Sequence, residues 1–145
     1  MPLPLEGILV LDWTIWQQGP ICSAMLGDMG AEVIKIEQAG TGDPGRYLAA
    51  AGGIAAQEKI NWYFEANNRN KRSITLDLKQ PEAVEVVHAL AAKADVFVQN
   101  FRKGVADRLN IGYDALRAVN PGLIYASATG YGKEGDESGE PSFDH

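Results

Sequence analysis

One cysteine, Cys22, stands in the whole chain, which excludes an internal disulfide and fits a reducing compartment, the cytoplasm. No spacing of the histidines (His88 and His145), that cysteine and the acids has the pattern of a metal site. No apolar run approaches the length of a membrane span, which argues against a membrane role. The opening MPLPLEGILVLD has no positive n-region and soon turns acidic, so nothing in it reads as a signal peptide. Basic residues are in deficit: 13 Lys and Arg face 19 Asp and Glu, a formal charge of −6. Nonspecific nucleic-acid binding needs broad positive charge to replace counterions, and this acidic balance excludes it. Also missing are a G-x-S-x-G elbow and any arguable Ser-His-Asp arrangement.

What is present suits one domain: 145 residues, of which 46% are hydrophobic and 22% charged, can fill a real core. Charge is unevenly spread. Residues 1–65 carry three basic and eight acidic groups and 111–145 carry two and six, whereas 66–110 carry eight and five. The positive stretch begins at a basic knot, Arg69, Lys71 and Arg72, which runs into an alternating strand expected over Ser73–Leu78. A positive stripe on an acidic protein is a place where an anion could dock.

Further short apolar runs predict strands at Gly7–Asp12, Glu32–Glu37, Asp95–Gln99 and Leu123–Ala128. Helices are expected from Pro20 to about Met29, with Gly30 as the stop, and from Pro81, where Val84, Val87, Leu90 and Ala91 share a face. Shorter helices are predicted at Asn61–Ala66, Val105–Leu109 and Tyr113–Val119. Gly40–Gly45 reads as a loop, residues 49–56 have no clear pattern, and residues 130–140 read as an exposed loop. Strands alternating with helices imply an α/β fold, a Rossmann-like, mostly parallel sheet with helices on both faces. Such sheets bind ligands beyond the carboxyl ends of their strands, where the strand order switches.

The turn after the first strand, TIWQQGPICS, has a single Gly19 where a dinucleotide fingerprint needs three glycines. Glu37 ends the second strand where a ribose-binding acid would sit, but without the glycines a nicotinamide-dependent oxidoreductase is a weak alternative. Gly40–Pro44 could bring backbone amides to a planar or phosphorylated ligand, or be a turn capped by Asp43. Asn100–Gly104 offers an amide, an aromatic face and two cations to a nucleotide, or is a solvated loop with Phe101 tucked into the core. Arg108 lies one helical turn beyond and could add to the same field. Cys22, among Ile21, Ala24 and Met25, reads as a buried structural thiol, and His88 as a surface residue.

Taken in order, LxGILVLDWT, a GP-headed helix, GAEVIKIE with GxGDPxR, NRNKRSITLDLK, ADVFVQNFRKGVADRL and NPxLIYASATGYG resemble the class III CoA-transferases, of the formyl-CoA and carnitine CoA-transferase type. The resemblance runs from Leu5 to Asp144. It implies the N-terminal part of a larger CoA-transferase fold that binds coenzyme A over the carboxyl edge of the sheet. CoA would pass from an acyl-CoA donor to a carboxylic acid acceptor. Leu76, Lys79, Asn100, Phe101 and Arg108 match positions where the family contacts CoA. Gln38 stands at an adenine-contact position where arginine or proline is common, and Gln17 matches a glutamine on a loop that closes over the active site.

The family's nucleophile is an aspartate that follows the block ending here at Ser142–Asp144, so Asp144 is not that residue and the chain is expected to supply CoA binding only. The resemblance further implies an interlocked homodimer. Related racemases epimerise 2-methylacyl-CoA with a histidine whose position matches Phe143, and phenylalanine cannot exchange a proton, which counts against that reading. A stand-alone CoA-binding module is the remaining alternative. The basic knot lies before its strand, away from the matched contacts, and is read as a support for folding or for the dimer.

Overall fold

The computed structural model describes residues 1–51 and 61–142. The first apolar run becomes strand β1 (Leu9–Trp13), in which Val10, Leu11, Asp12 and Trp13 are all buried. A strand covered on both faces reads as a continuous rather than an alternating run, and this one does. The chain continues through α1 (Gln18–Asp28), β2 (Glu32–Gln38), α2 (Gly45–Ala51), α3 (Trp62–Asn68), β3 (Lys71–Leu76), α4 (Pro81–Ala91), β4 (Val96–Gln99), α5 (Val105–Arg108), α6 (Tyr113–Val119) and β5 (Ile124–Ser127). All strand pairs are parallel, in the order β3-β2-β1-β4-β5. The chain walks outward from β1 to β3 and then returns to the other edge of β1 with β4. The switch point therefore lies between β1 and β4, with Val10 opposite Val33 on one side and Val96 on the other.

The two faces of the sheet are unlike. Leu11, Trp13, Ile36 and Phe97 point to α4, α5 and α6 and join Ala83, Val87, Ala91, Ala106, Ile111 and Leu116 in the main apolar core. Pro81 opens α4 at its first turn, where the missing N–H costs nothing, and sets that apolar face toward the sheet. On the other face, Val10, Val33, Val98 and Leu26 form a smaller cluster. Beside it lies a row of buried charges. Asp12 faces α1, accepting from Ser23 Oγ at 2.7 Å and from the Thr14 hydroxyl. Lys71 Nζ reaches the same carboxylate at 2.8 Å and also donates to Pro20 O and Asn68 Oδ1. Burial pushes the Lys71 ammonium below its ordinary range, while the charge of Asp12 and its hydrogen bond act to hold it up.

Helix α1 follows from this polar floor. It turns Gly19, Pro20, Ser23 and Ala24 to the sheet, because small residues let its backbone come close enough for Pro20 O to meet Lys71. Cys22 consequently falls on the open side and is exposed, contrary to the buried thiol that its neighbours suggested. Gly30, at φ +104°, ends the helix, and Ala31 N donates back to Leu26 O at 3.1 Å.

Other boundaries also differ from expectation. Strand β3 begins at Lys71, so two residues of the basic knot lie inside the strand, and the knot is a set of ion pairs. Lys71 meets Asp12, Arg69 meets Asp28, and Arg72 meets Glu32. The strand also ends at Leu76, two residues early, where Asp77 starts a turn with Gln80 N donating to Asp77 O. Helix α1 starts at Gln18, two residues before Pro20, and α2 starts inside the expected loop at Gly45. Residues 130–142 form turns with no helix or strand. Phe143, Asp144, His145 and the greater part of 49–56 lie outside the described residues.

These pairs predict a sharp contrast in stability. Lys71→Met strands the buried Asp12 charge and should cost about 3–5 kcal/mol, whereas Arg72→Ala removes an exposed pair and should cost at most about 1 kcal/mol. Urea denaturation of the two variants checks this, and similar losses would contradict it.

Candidate functional site

At the carboxyl ends of β1, β2 and β4 the chain forms a cleft of about 330 Å³. Its walls come from the segments that follow the strands, where the fold class puts ligands. Trp13, Ile36, Leu78, Phe101, Val105 and Leu109 make an apolar floor. Trp13 and Phe101 stack with ring centroids 4.0 Å apart and planes at 24°. Phe101 thus packs on the core, as one reading of its loop expected, and its ring also lines the cleft. Thr14 and Ile15 form one side, Gln38 and Thr41–Pro44 another, and Lys79 stands at the rim.

Two carboxylates also line the cleft, and both are neutralised within the protein. Arg46 holds Glu37 with both prongs of its guanidinium, 2.7 Å from each oxygen, and stacks on the Phe64 ring. Ser73 Oγ and Asp43 N donate to the same carboxylate. Burial raises the Glu37 carboxyl, but the Arg46 hydrogen bonds, aided by those from Ser73 and Asp43 N, outweigh it and bring the pKa down to about 2. Asp43 Oδ2 lies 2.9 Å from Lys35 Nζ as an ion pair without hydrogen-bond geometry, while its Oδ1 accepts from Trp16 N and Gly45 N. With those acids cancelled, the remaining charge on the cleft wall is Lys79, which interacts through space with Asp77 but has no carboxylate at ion-pair distance among the described residues. An anion can approach such a wall without meeting a bare carboxylate.

Of the residues singled out from the sequence, Gln38, Lys79 and Phe101 line this cleft. Leu76 ends β3 half-buried and packs on the apolar core beside it. Asn100 turns its amide to the β1–α1 turn, accepting from Ile15 N at 2.9 Å and donating to Ile15 O at 2.8 Å. Arg108 closes α5, exposed, with its guanidinium over Gly104, and Gln17 caps α1, exposed, without a side-chain capping bond. Neither Arg108 nor Gln17 lines the cleft. His88 Nε2 contacts Asn110 O at 2.6 Å and does not line the cleft. Among the described residues no group of His, Cys, Asp or Glu could hold a metal ion.

Sequence reasoning passed over Lys35 and Arg46, and it weighed Asp43 only as a turn cap. Their partners are set by the loop after β2, where Gly42 at φ +67° brings backbone against Glu37 and Arg46; a Cβ there would lie 3.0 Å from both. Glu37 is the acid that a ribose would need, and all of its acceptor directions in the cleft are taken by Arg46, Ser73 and Asp43. That occupancy counts against a nicotinamide site.

The molecule is thus an α/β protein with an apolar, cation-rimmed cleft at the carboxyl edge of a parallel sheet. It belongs to CoA-transferase family III, whose family model matches residues 5–145. The chain is 41% identical over 141 residues to the succinyl-CoA:glutarate CoA-transferase of Mus musculus, covering 97% of this chain and 31% of that protein. It is 44% identical over 133 residues to the formyl-CoA:oxalate CoA-transferase of Rhodopseudomonas palustris, covering 91% of this chain and 30% of that one. The crystal structure of a CAIB/BAIF family protein from Brucella suis superposes with a TM-score of 0.90 at 37% identity, over 99% of this chain and 38% of that chain. The chain spans about a third of the length of these relatives.

The Glu37 network predicts an acid-sensitive contribution to stability. Because the folded pKa of about 2 lies below the usual 4.5, the contribution is complete above pH 4.5 and fades as the pH falls toward 2. Urea midpoints of the native chain should fall more steeply across that window than those of Glu37→Gln, and parallel pH profiles would contradict the assignment.

Proposed function

We propose that this chain is the coenzyme A-binding part of an enzyme that moves CoA from an acyl-CoA to a carboxylic acid. The observation that carries this reading is the cleft: an apolar, aromatic floor for a planar base, with Lys79 at its rim for a phosphate. Gln38, Lys79 and Phe101, matched to CoA contacts by resemblance, converge on it from three different strand ends. Arg108 at the neighbouring turn extends the positive field, as a long phosphorylated ligand requires.

In the reaction we infer, an aspartate carboxylate attacks the thioester carbonyl and expels the CoA thiolate, leaving a mixed anhydride. The thiolate then attacks the aspartyl carbonyl of that anhydride, which releases the first acid and leaves an aspartyl-CoA thioester. Attack by the acceptor carboxylate displaces CoA once more, and the thiolate reopens the new anhydride to give the product acyl-CoA and free aspartate. The resemblance assigns that aspartate to a block beyond the residues matched here, so we read this chain as binding CoA without transferring it. Exposed Tyr47, Leu48 and Trp62 on the adjoining helices α2 and α3 support a homodimer. The reading places the protein in the cytoplasm.

Calorimetric titration with CoA tests the proposal. Binding should weaken roughly tenfold in Lys79→Ala and in Arg108→Ala, the scale of one charge-assisted hydrogen bond, and stay unchanged in Arg72→Ala at the opposite end of the sheet. Absence of CoA binding, or displacement of CoA by NAD at the same site, would overturn it. Transfer of CoA by the purified chain would overturn the division of labour.

A further inference from the structure

The turn between β1 and α1 is held from below by a buried ion pair to which neither the resemblance nor the proposed reaction assigns a role. Lys35 and Asp43 are each 1% exposed and lie 2.9 Å apart. Lys35 Nζ donates to Thr14 O at 2.9 Å, and Asp43 Oδ1 accepts from Trp16 N at 3.1 Å. The pair therefore grips the turn at both sides of Ile15, while Asn100 clasps Ile15 itself. Thr14 and Ile15 are cleft wall, and so is Asp43.

Trp16 shows what the grip does. Its φ is +67°, the left-handed region, which is unfavourable for a bulky side chain and persists only where the surroundings over-determine it. Glycine at that position would relieve the strain, yet a half-exposed tryptophan is held there. Stability alone does not account for the pair, since apolar groups of similar size commonly replace a buried ion pair without loss. What apolar groups cannot do is hold two particular backbone groups in register.

We propose that Lys35 and Asp43 are positioning residues, whose ion pair fixes the Thr14–Trp16 turn and so preforms the wall that Thr14 and Ile15 give the CoA cleft. The ligand half of this statement rests on the CoA reading above; the positioning half does not. A wall fixed before the ligand arrives spares CoA the ordering of that loop.

The test uses the chain with Trp62→Phe, which leaves Trp16 as the accessible tryptophan beside buried Trp13. Lys35→Met isolates a buried aspartate and risks unfolding, so Lys35→Met/Asp43→Leu, which leaves no unpaired charge, is compared with it. In the double variant the circular dichroism melt should remain cooperative, the Trp16 emission should shift to the red, and acrylamide quenching should rise. CoA affinity should fall by about tenfold to 100-fold, the range expected when a binding wall is displaced. A folded double variant with unchanged Trp16 emission and quenching would overturn the positioning role. A released Trp16 with undiminished CoA affinity would overturn the wall's part in binding. If the parent chain fails to bind CoA while Trp16 is released as expected, the CoA reading fails and the positioning role stands.

Discussion

Asp12, Lys35, Asp43 and Lys71 bring four ionised groups into the interior on one face of the sheet, and the arrangement of that face follows from satisfying them. Moving a charge out of water is expensive, and each is repaid only by a close partner and further hydrogen bonds. Lys71 spans from β3 to Asp12 on β1 and to the first turn of α1; Lys35 spans from β2 to the turn after β1. Side chains on three adjacent strands thus fix where one helix and one turn can lie. The helix is lined with small residues so that Lys71 can reach Pro20 O and Asp12 can reach the Ser23 hydroxyl.

The same bookkeeping sets the character of the cleft. Glu37 and Asp43 would repel an anion if left bare, and they are cancelled by Arg46 at the exposed surface and by Lys35 in the interior. Those two cations are engaged with their acids, while Lys79 and Arg108 remain exposed on the segments after β3 and β4. A chain that is acidic as a whole thereby presents a locally positive edge. The apolar face contributes the floor, the polar face contributes the rigid walls, and the cleft lies where the two meet at the end of β1.

Much of this fold is legible in the sequence. Continuous apolar runs, Pro81 and the Gly30 stop mark a parallel α/β sheet, and three of the residues singled out from the sequence, Gln38, Lys79 and Phe101, line the cleft. What stayed hidden is whatever depends on pairing across distance. Lys71 and Arg72 look like a place where an anion could dock because their partners, Asp12 and Glu32, lie far back along the chain. Cys22 looks buried because its neighbours are apolar, but the charges under α1 select small residues over large ones. Asp43 looks like a turn cap, and it is one for Gly45, yet its second oxygen belongs to Lys35. Local pattern carries no information on which strand lies beside which.

The place of β1 in the sheet bears on how the chain comes into being. It is made before the other four described strands and ends up in the middle, with β2 along one side and Val96–Gln99 along the other. As the polypeptide leaves the ribosome, β1 can acquire its first neighbour early, but its second side stays open until β4 has been synthesised. Throughout that interval its apolar residues and unpaired amides are a template for any extended chain nearby. The nascent protein therefore passes through a period of exposure whose length is set by strand order, and which ends when β4 docks.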